Sequence, residues 1–185
     1  MLISGLELVP DYIAPSGQTQ FLAIIDNSLW MTDLKRRVQH YGYRYDYKAR
    51  KVDSTMYLGT LPDWAHQLAI RLHLDGYIAK VPDQLIANEY VSGQGIAPHV
   101  DCVPCFDDTI LSITLGSACI MDFTKLKSTE KQSLYLTSGS LLIMKDEARY
   151  DWKHGISARK SDVIDGERIT RGRRVSLTFR CVTLE

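Results

Sequence analysis

The order of hydrophobic patterns along the chain predicts an α+β fold, with helices first and a jelly-roll core of antiparallel strands after them. Three observations carry this. Apolar residues recur at helical spacing in Ser16 to Ser28 and again in Pro62 to Asp75. From Gln84 onward the apolar runs shorten to strand length, rich in β-branched and aromatic residues and bounded by Gly, Ser, Asp or Lys. At 185 residues, without internal repeat or low-complexity tract, the chain suits one domain: helices and a basic segment over 1–80, the strand core over 81–185.

Taken in order, the first helix rests on a capping Ser16 followed by Phe21, Ile24 and Ile25. Asp33 to Val52 is different, because Lys35, Arg36, Arg37, Arg44, Lys48, Arg50 and Lys51 alternate with Tyr41, Tyr43, Tyr45 and Tyr47. Tyrosines at every second position predict an extended segment with an aromatic face. Two readings stay open: a surface on which bases stack beside phosphate-seeking cations, or an edge strand whose rings cover the core. The second helix starts near Pro62 and ends at His73-Leu74-Asp75 before Gly76. Strands are expected over Gln84 to Val91, Thr109 to Leu115, Ala118 to Phe123, Gln132 to Leu136, Ser140 to Met144, Asp151 to Ile156 and Arg174 to Val182. Ser157 to Gly172 is polar and charged, and reads as an exposed, mobile loop.

Net charge is zero, so no global field draws an anionic partner, and any such contact must be local. The first residues lack a basic, then apolar, leader, and no apolar run is long enough to span a bilayer. A cytoplasmic monomer with no membrane association is the expectation, and Cys102, Cys105, Cys119 and Cys181 are expected to be reduced. Cys102-x-x-Cys105 lacks a second pair at zinc spacing and reads as plain loop thiols.

The informative stretch is Asn88 to Asp101, NEYVSGQGIAPHVD. On a strand, residues two apart share a face, so His99 and Asp101 can bite one ion together. His73 and Asp75 show the same spacing, but on a helix that spacing separates them. His154 is the candidate third ligand, and two His with one carboxylate describe the facial triad of non-haem Fe(II) oxygenases. The last strand places Val175, Leu177, Phe179 and Cys181 on one face and Arg174, Ser176, Thr178 and Arg180 on the other. If helices cover the first face, the second lines a polar cavity, where two arginines call for an anion such as a dicarboxylate. If not, the arginines simply face water. Asn88 and Tyr90 share a face in the same way. A non-catalytic jelly roll holding an anion or sugar is the rival to the enzyme reading.

HxD, a distal His, and R-x-S-x-T-F-R together resemble the AlkB family of Fe(II)/2-oxoglutarate dioxygenases. RRVQHYGYRYDY, LPDWAHQL, PDQLIANEY, GQGIAPHVD, SGSLLIMK, ARYDWKHGI and RRVSLTFR look like successive blocks of that family. The most similar branch is the one that hydroxylates a modified wobble uridine in tRNA. The resemblance implies a double-stranded β-helix with N-terminal helices on one sheet and a nucleotide-recognition lid. It implies Fe(II) on His99, Asp101 and His154, with 2-oxoglutarate and O2 as co-substrates. Arg174, helped by Ser176 and Tyr90, would clasp the distal carboxylate, with Asn88 and Arg180 at the end near the metal. Arg36, Arg37, Tyr41, Tyr43 and Tyr45 would meet a nucleic-acid substrate, DNA or RNA. The implied activity is oxidation of an alkyl group on a nucleobase, as in dealkylation repair; the alternatives are hydroxylation of a tRNA wobble uridine or of a protein side chain.

Overall fold

The computed structural model describes residues 3–32 and 34–184, so Asp33, the start of the basic segment, lies outside the described residues. The elements run β1 (Leu6–Val9), α1 (Pro15–Asp26), β2 (Val38–Tyr41), a 3-10 turn (Ser54–Met56), α2 (Asp63–Leu74), β3 (Gln84–Tyr90), β4 (Ile96–His99) and β5 (Ile110–Gly116). They continue through β6 (Cys119–Lys125), β7 (Lys131–Leu136), β8 (Leu141–Met144), α3 (Asp146–Tyr150), β9 (Trp152–Ile156), β10 (Ser161–Ile164), β11 (Glu167–Thr170) and β12 (Arg174–Arg180).

A six-stranded antiparallel sheet in the order β1-β8-β5-β12-β3-β2 and a four-stranded sheet in the order β4-β9-β6-β7 form an open jelly roll. The first eighty residues are more than a helical cover, since β1 and β2 close the two edges of the larger sheet. Alternation along the strands sorts the core into two layers. Leu111, Ile113, Leu115, Leu141, Ile143, Val175, Leu177 and Phe179 point outward and pack under Ile25, Ala65, Leu68 and Leu72 of the two long helices. Ile110, Leu142 and Met144 point inward and meet Met121, Phe123, Trp152 and Ile156 of the smaller sheet. Both helices start at proline rather than at a side-chain cap: Ala14 precedes Pro15, and Pro62 itself stands at the cap position. Ser16 therefore lies inside α1. Among the described residues no helix is long and apolar enough to cross a membrane.

Two expectations need correction. The tyrosine segment is extended only as far as Tyr41; Gly42 then turns the chain with φ +76, where a side chain would strike the Asp83 carbonyl. Ser157 to Gly172 is not a loose loop but contains the β10–β11 hairpin, paired Ser161 to Thr170 and Ile164 to Glu167. What holds the hairpin down is charge. Asp162, buried, accepts from Arg171 Nε at 2.5 Å and Nη2 at 2.7 Å, from Arg159 Nε at 2.7 Å and from the Ile120 amide at 3.1 Å. Hydrophobic periodicity cannot report an element whose anchor is an ion pair.

Burial alone would raise the Asp162 carboxyl, but Arg171, the Ile120 amide and Arg159 overcome it and hold the group below the ordinary carboxylate range. A folded-state value below the unfolded one means stability that is complete above the unfolded pKa and lost as pH falls through the folded one. Asp162→Asn should therefore lower unfolding free energy at pH 7 by about 3 kcal/mol, since it leaves Arg171 buried without its counter-charge. In urea melts at successively lower pH the gap between wild type and variant should close; a gap that stays constant would contradict the account.

Candidate active site

His99 ends β4 and stands directly opposite His154 on β9, their ring centroids 4.4 Å apart. Asp101 lies two residues beyond β4, on the following loop, yet its Oδ1 is 3.4 Å from His99 Nε2 and 3.7 Å from His154 Nε2. One ligand atom from each of the three lies within 4.8 Å of the others. The close crossing of β4 over β9 depends on Gly155, where a Cβ would sit 2.9 Å from the Pro98 backbone. His99 Nδ1 sits 2.9 Å from the Ala97 carbonyl, a contact that turns Nε2 toward the site.

Electrostatics hold two of these groups in their ligating forms. Burial pushes His154 down to about 4, so its imidazole is neutral at physiological pH. Burial would raise Asp101, but Arg180, then His99 and His154, pull it well below the usual range, and it is ionised. Arg180 Nε donates to Asp101 Oδ2 at 2.8 Å and Nη1 to Gln84 Oε1 at 3.2 Å, with the guanidinium 4.7 Å from the Phe106 ring centre. Beneath the same loop lies Arg149, almost fully buried, donating to the carbonyls of Asp101 at 3.0 Å, Cys102 at 3.1 Å and Phe106 at 3.5 Å. Sequence reading missed Arg149; the only signal was its place five residues before His154, in ARYDWKH.

The cavity that contains these ligands, about 330 Å³, extends along the inner face of β12 past Arg180, Thr178, Ser176 and Arg174. Asn88 and Tyr90 of β3 line it beside them, as their shared face required. At its far end Arg174 is buried, with Nη2 donating to Thr114 Oγ1 at 2.9 Å and the guanidinium 5.6 Å from the Tyr90 ring centre. Its Nε has no partner, and no carboxylate pairs with it among the described residues. Ser176 Oγ shares a 2.9 Å hydrogen bond with Ser112. A buried guanidinium with an orphaned donor fits a carboxylate ligand. The His, Asp, His donor set fits Fe(II).

The candidate substrate residues divide. Arg36 and Tyr45 line the cavity, and so do Tyr47 and Arg50 of the same basic, tyrosine-rich segment. Arg37, Tyr41 and Tyr43 do not line it. Arg37 projects to the other side of the chain, paired with Glu89 and 4.6 Å over the Trp30 ring. Tyr41 turns to the helix-covered core, edge-on to Trp64 at 5.7 Å, and Tyr43 packs on Tyr57 at 5.0 Å. The turn at Gly42 separates Tyr41 from the three tyrosines that follow. Arg36 and Arg37 are neighbours, and their side chains leave on opposite sides.

Cys102 and Cys105 are joined in a disulfide, where free thiols were expected. The tight turn brings their Cα atoms to 5.3 Å, within bonding range. Cys119 and Cys181 are free and buried.

Residues 23–180 match the 2OG-Fe(II) oxygenase superfamily. The chain is 40% identical over 184 residues to uncharacterized protein L905 of Acanthamoeba polyphaga mimivirus, covering 99% of this chain and 87% of that one. It is 38% identical over 203 residues to the alkylated DNA repair protein ALKBH8 homolog of Arabidopsis thaliana, with 97% and 59% covered. Against tRNA (carboxymethyluridine(34)-5-O)-methyltransferase alkbh8 of Xenopus tropicalis, identity is 38% over 199 residues, with 96% and 32% covered. The chain thus spans less than two thirds of the Arabidopsis and Xenopus proteins. In fold it is similar to the solved structure of OsALKBH1, with a TM-score of 0.72 at 18% identity over 98% of both chains.

Asp101→Asn removes one metal ligand and strips Arg180 of its counter-charge. Calorimetric titration with Co(II) should show one site in the wild type and at least about a hundredfold weaker binding in the variant. The metal-free variant should also lose about 3 kcal/mol of stability. Thiol titration of the denatured, unreduced chain should find two reactive cysteines rather than four.

Proposed function

Because the chain belongs to the AlkB family within the 2OG-Fe(II) oxygenase superfamily, and so is an Fe(II)- and 2-oxoglutarate-dependent dioxygenase, we propose that it oxidises an alkyl group carried by a nucleobase of DNA or RNA. His99, Asp101 and His154 would hold the iron. Arg174, with Ser176 and Tyr90, would take the far carboxylate of 2-oxoglutarate, and Asn88 would meet its other end. Bound there, iron and 2-oxoglutarate supply the oxidant, as O2 is consumed, the keto acid becomes succinate and CO2, and one oxygen atom goes to the alkyl carbon.

The chain's own part is placement. Arg180 keeps Asp101 ionised and fixes its direction; Arg149 fixes the loop that carries it. Arg36 donates to Asn88 Oδ1 at 3.0 Å and so sets the amide's orientation. Phe106, Ile110, Met121 and Met144 make the wall apolar and limit water around the metal ligands. Tyr45 and Tyr47, ring centroids 5.0 Å apart, line the cavity and would offer aromatic surface to a base taken out of its stack.

The observation that carries this reading is Arg174, a buried guanidinium with an unpartnered Nε in the cavity that also holds the His, Asp, His set. The names of the Arabidopsis and Xenopus relatives support a nucleic-acid substrate. Likeness to the Xenopus protein favours a second reading, hydroxylation of a modified tRNA wobble uridine. The products differ. An alkyl carbon on a base nitrogen leaves as an aldehyde after hydroxylation, whereas one on a ring carbon keeps its hydroxyl.

With Fe(II), ascorbate and 2-oxoglutarate, His99→Ala should abolish succinate formation; retained turnover would remove the metal assignment. Arg174→Met should raise the 2-oxoglutarate requirement about a hundredfold, the cost of losing one partner of a desolvated charge pair. Mass spectrometry of alkylated oligonucleotides and of tRNA then separates aldehyde release from a retained hydroxyl.

A further inference from the structure

The charge inventory of the cavity is lopsided. Arg36, Arg50, Arg174 and Arg180 line it, and among the described residues Asp101 is the single carboxylate that does. Under the proposed function, on which this inference rests, the two positive charges of iron and the two negative charges of 2-oxoglutarate cancel. Asp101 is committed to Arg180. Arg174 shares a far carboxylate already counted against the iron, so three positive charges remain in excess, and of these arginines Arg36 and Arg50 would have no anion beside them.

Neither has an anionic partner among the described residues. Arg36 meets only the Asn88 amide and the rings of Tyr47 and Tyr90, whose centres lie 5.5 Å and 5.9 Å from its guanidinium. Arg50 Nη2 donates to the carbonyl of Val100 at 3.1 Å, the residue between His99 and Asp101. Its backbone φ of +52 falls in the left-handed region that non-glycine residues rarely adopt. Arg50 is an exposed residue, and its bond to the Val100 carbonyl sets it against the loop that carries the metal ligands.

We infer that the substrate brings a negatively charged group into the cavity, within reach of Arg50 and Arg36. That group is a carboxylate on the target base or the target nucleotide's own phosphate. A base made cationic by N-alkylation adds a positive charge to an already positive, partly desolvated cavity and is rejected. Among the described residues Asp101 is the one carboxylate that lines the cavity, and it is paired with Arg180, so no free acid offsets such a cation.

The test uses the full chain loaded with Fe(II) and 2-oxoglutarate without oxygen. Fluorescence anisotropy measures binding of three labelled trinucleotides that differ at the central pyrimidine: carboxymethyl, the isosteric neutral carbamoylmethyl, and N-methylated and cationic. The first two are also offered as free nucleosides, by competition. The carboxymethyl trinucleotide should bind at least tenfold more tightly than the cationic one, and Arg50→Gln should cut that preference to within threefold. A preference for the acid over the amide that persists in the nucleosides assigns the charge to the base. Equal binding of acid and amide, with both nucleosides far weaker, assigns it to the phosphate. The inference is overturned if the cationic probe binds as tightly as the anionic one, if none binds, or if the preference survives in both Arg36→Gln and Arg50→Gln. Succinate formation once oxygen is admitted to the same preparation separates the two claims. With it, a cationic preference sinks this inference alone; without it, the proposed function falls as well.

Discussion

The structure depends on the two-residue period of one strand. Val175, Leu177 and Phe179 of β12 are fully buried under the helices, which forces Arg174, Ser176, Thr178 and Arg180 into the space between the sheets. A slip of one residue would exchange the two faces. The slip is resisted from both sides, because β12 pairs along nearly its whole length with β3 and with β5. Packing of apolar side chains in one layer thus sets the position of charged side chains in the other. Two arginines then stand where a dicarboxylate and a metal-binding acid can use them.

From that strand the site is assembled by a few directed contacts. Arg180 reaches from β12 to Asp101 and joins the larger sheet to the loop after β4. Arg149 reaches the same loop from α3, the element just before the strand that carries His154. The two histidines come together because β4 and β9 are neighbours in register at that pair. Asp101 is therefore held by groups that are themselves held, and His99 by the Ala97 carbonyl of its own strand. That is the condition for a donor set to exist before its ion arrives.

Much of this was legible in the chain. The alternation of RVSLTFR obeys the period that a strand imposes, and its residues sit where that rule puts them. The HxD pair and the distal histidine do come together, although Asp101 stands on the loop after β4 rather than on the strand face its spacing implied. The rest failed for identifiable reasons. A four-residue strand such as β4, with a register shift between Ile96 and His99, has too little pattern to be seen, so the opposition of His99 and His154 is a property of pairing alone. The tyrosine run kept its period in sequence but lost it in space at Gly42, and only two of its four rings, Tyr45 and Tyr47, line the cavity. The hairpin anchored by Asp162 and the loop anchored by Arg149 are organised by buried charge, which hydrophobic periodicity does not encode. The Cys102–Cys105 bridge escaped because the compartment, rather than the 5.3 Å separation, had guided the expectation.

The central claim is that metal and dicarboxylate occupy one cavity and bind as a pair. Calorimetric titration of 2-oxoglutarate into the chain without oxygen, with and without Fe(II), tests it most directly, since ligands that share a site and touch must alter one another's affinity. The account predicts a single site whose affinity rises at least about tenfold when Fe(II) is present, a coupling of about 1.4 kcal/mol. Equal affinity with and without the metal would contradict it.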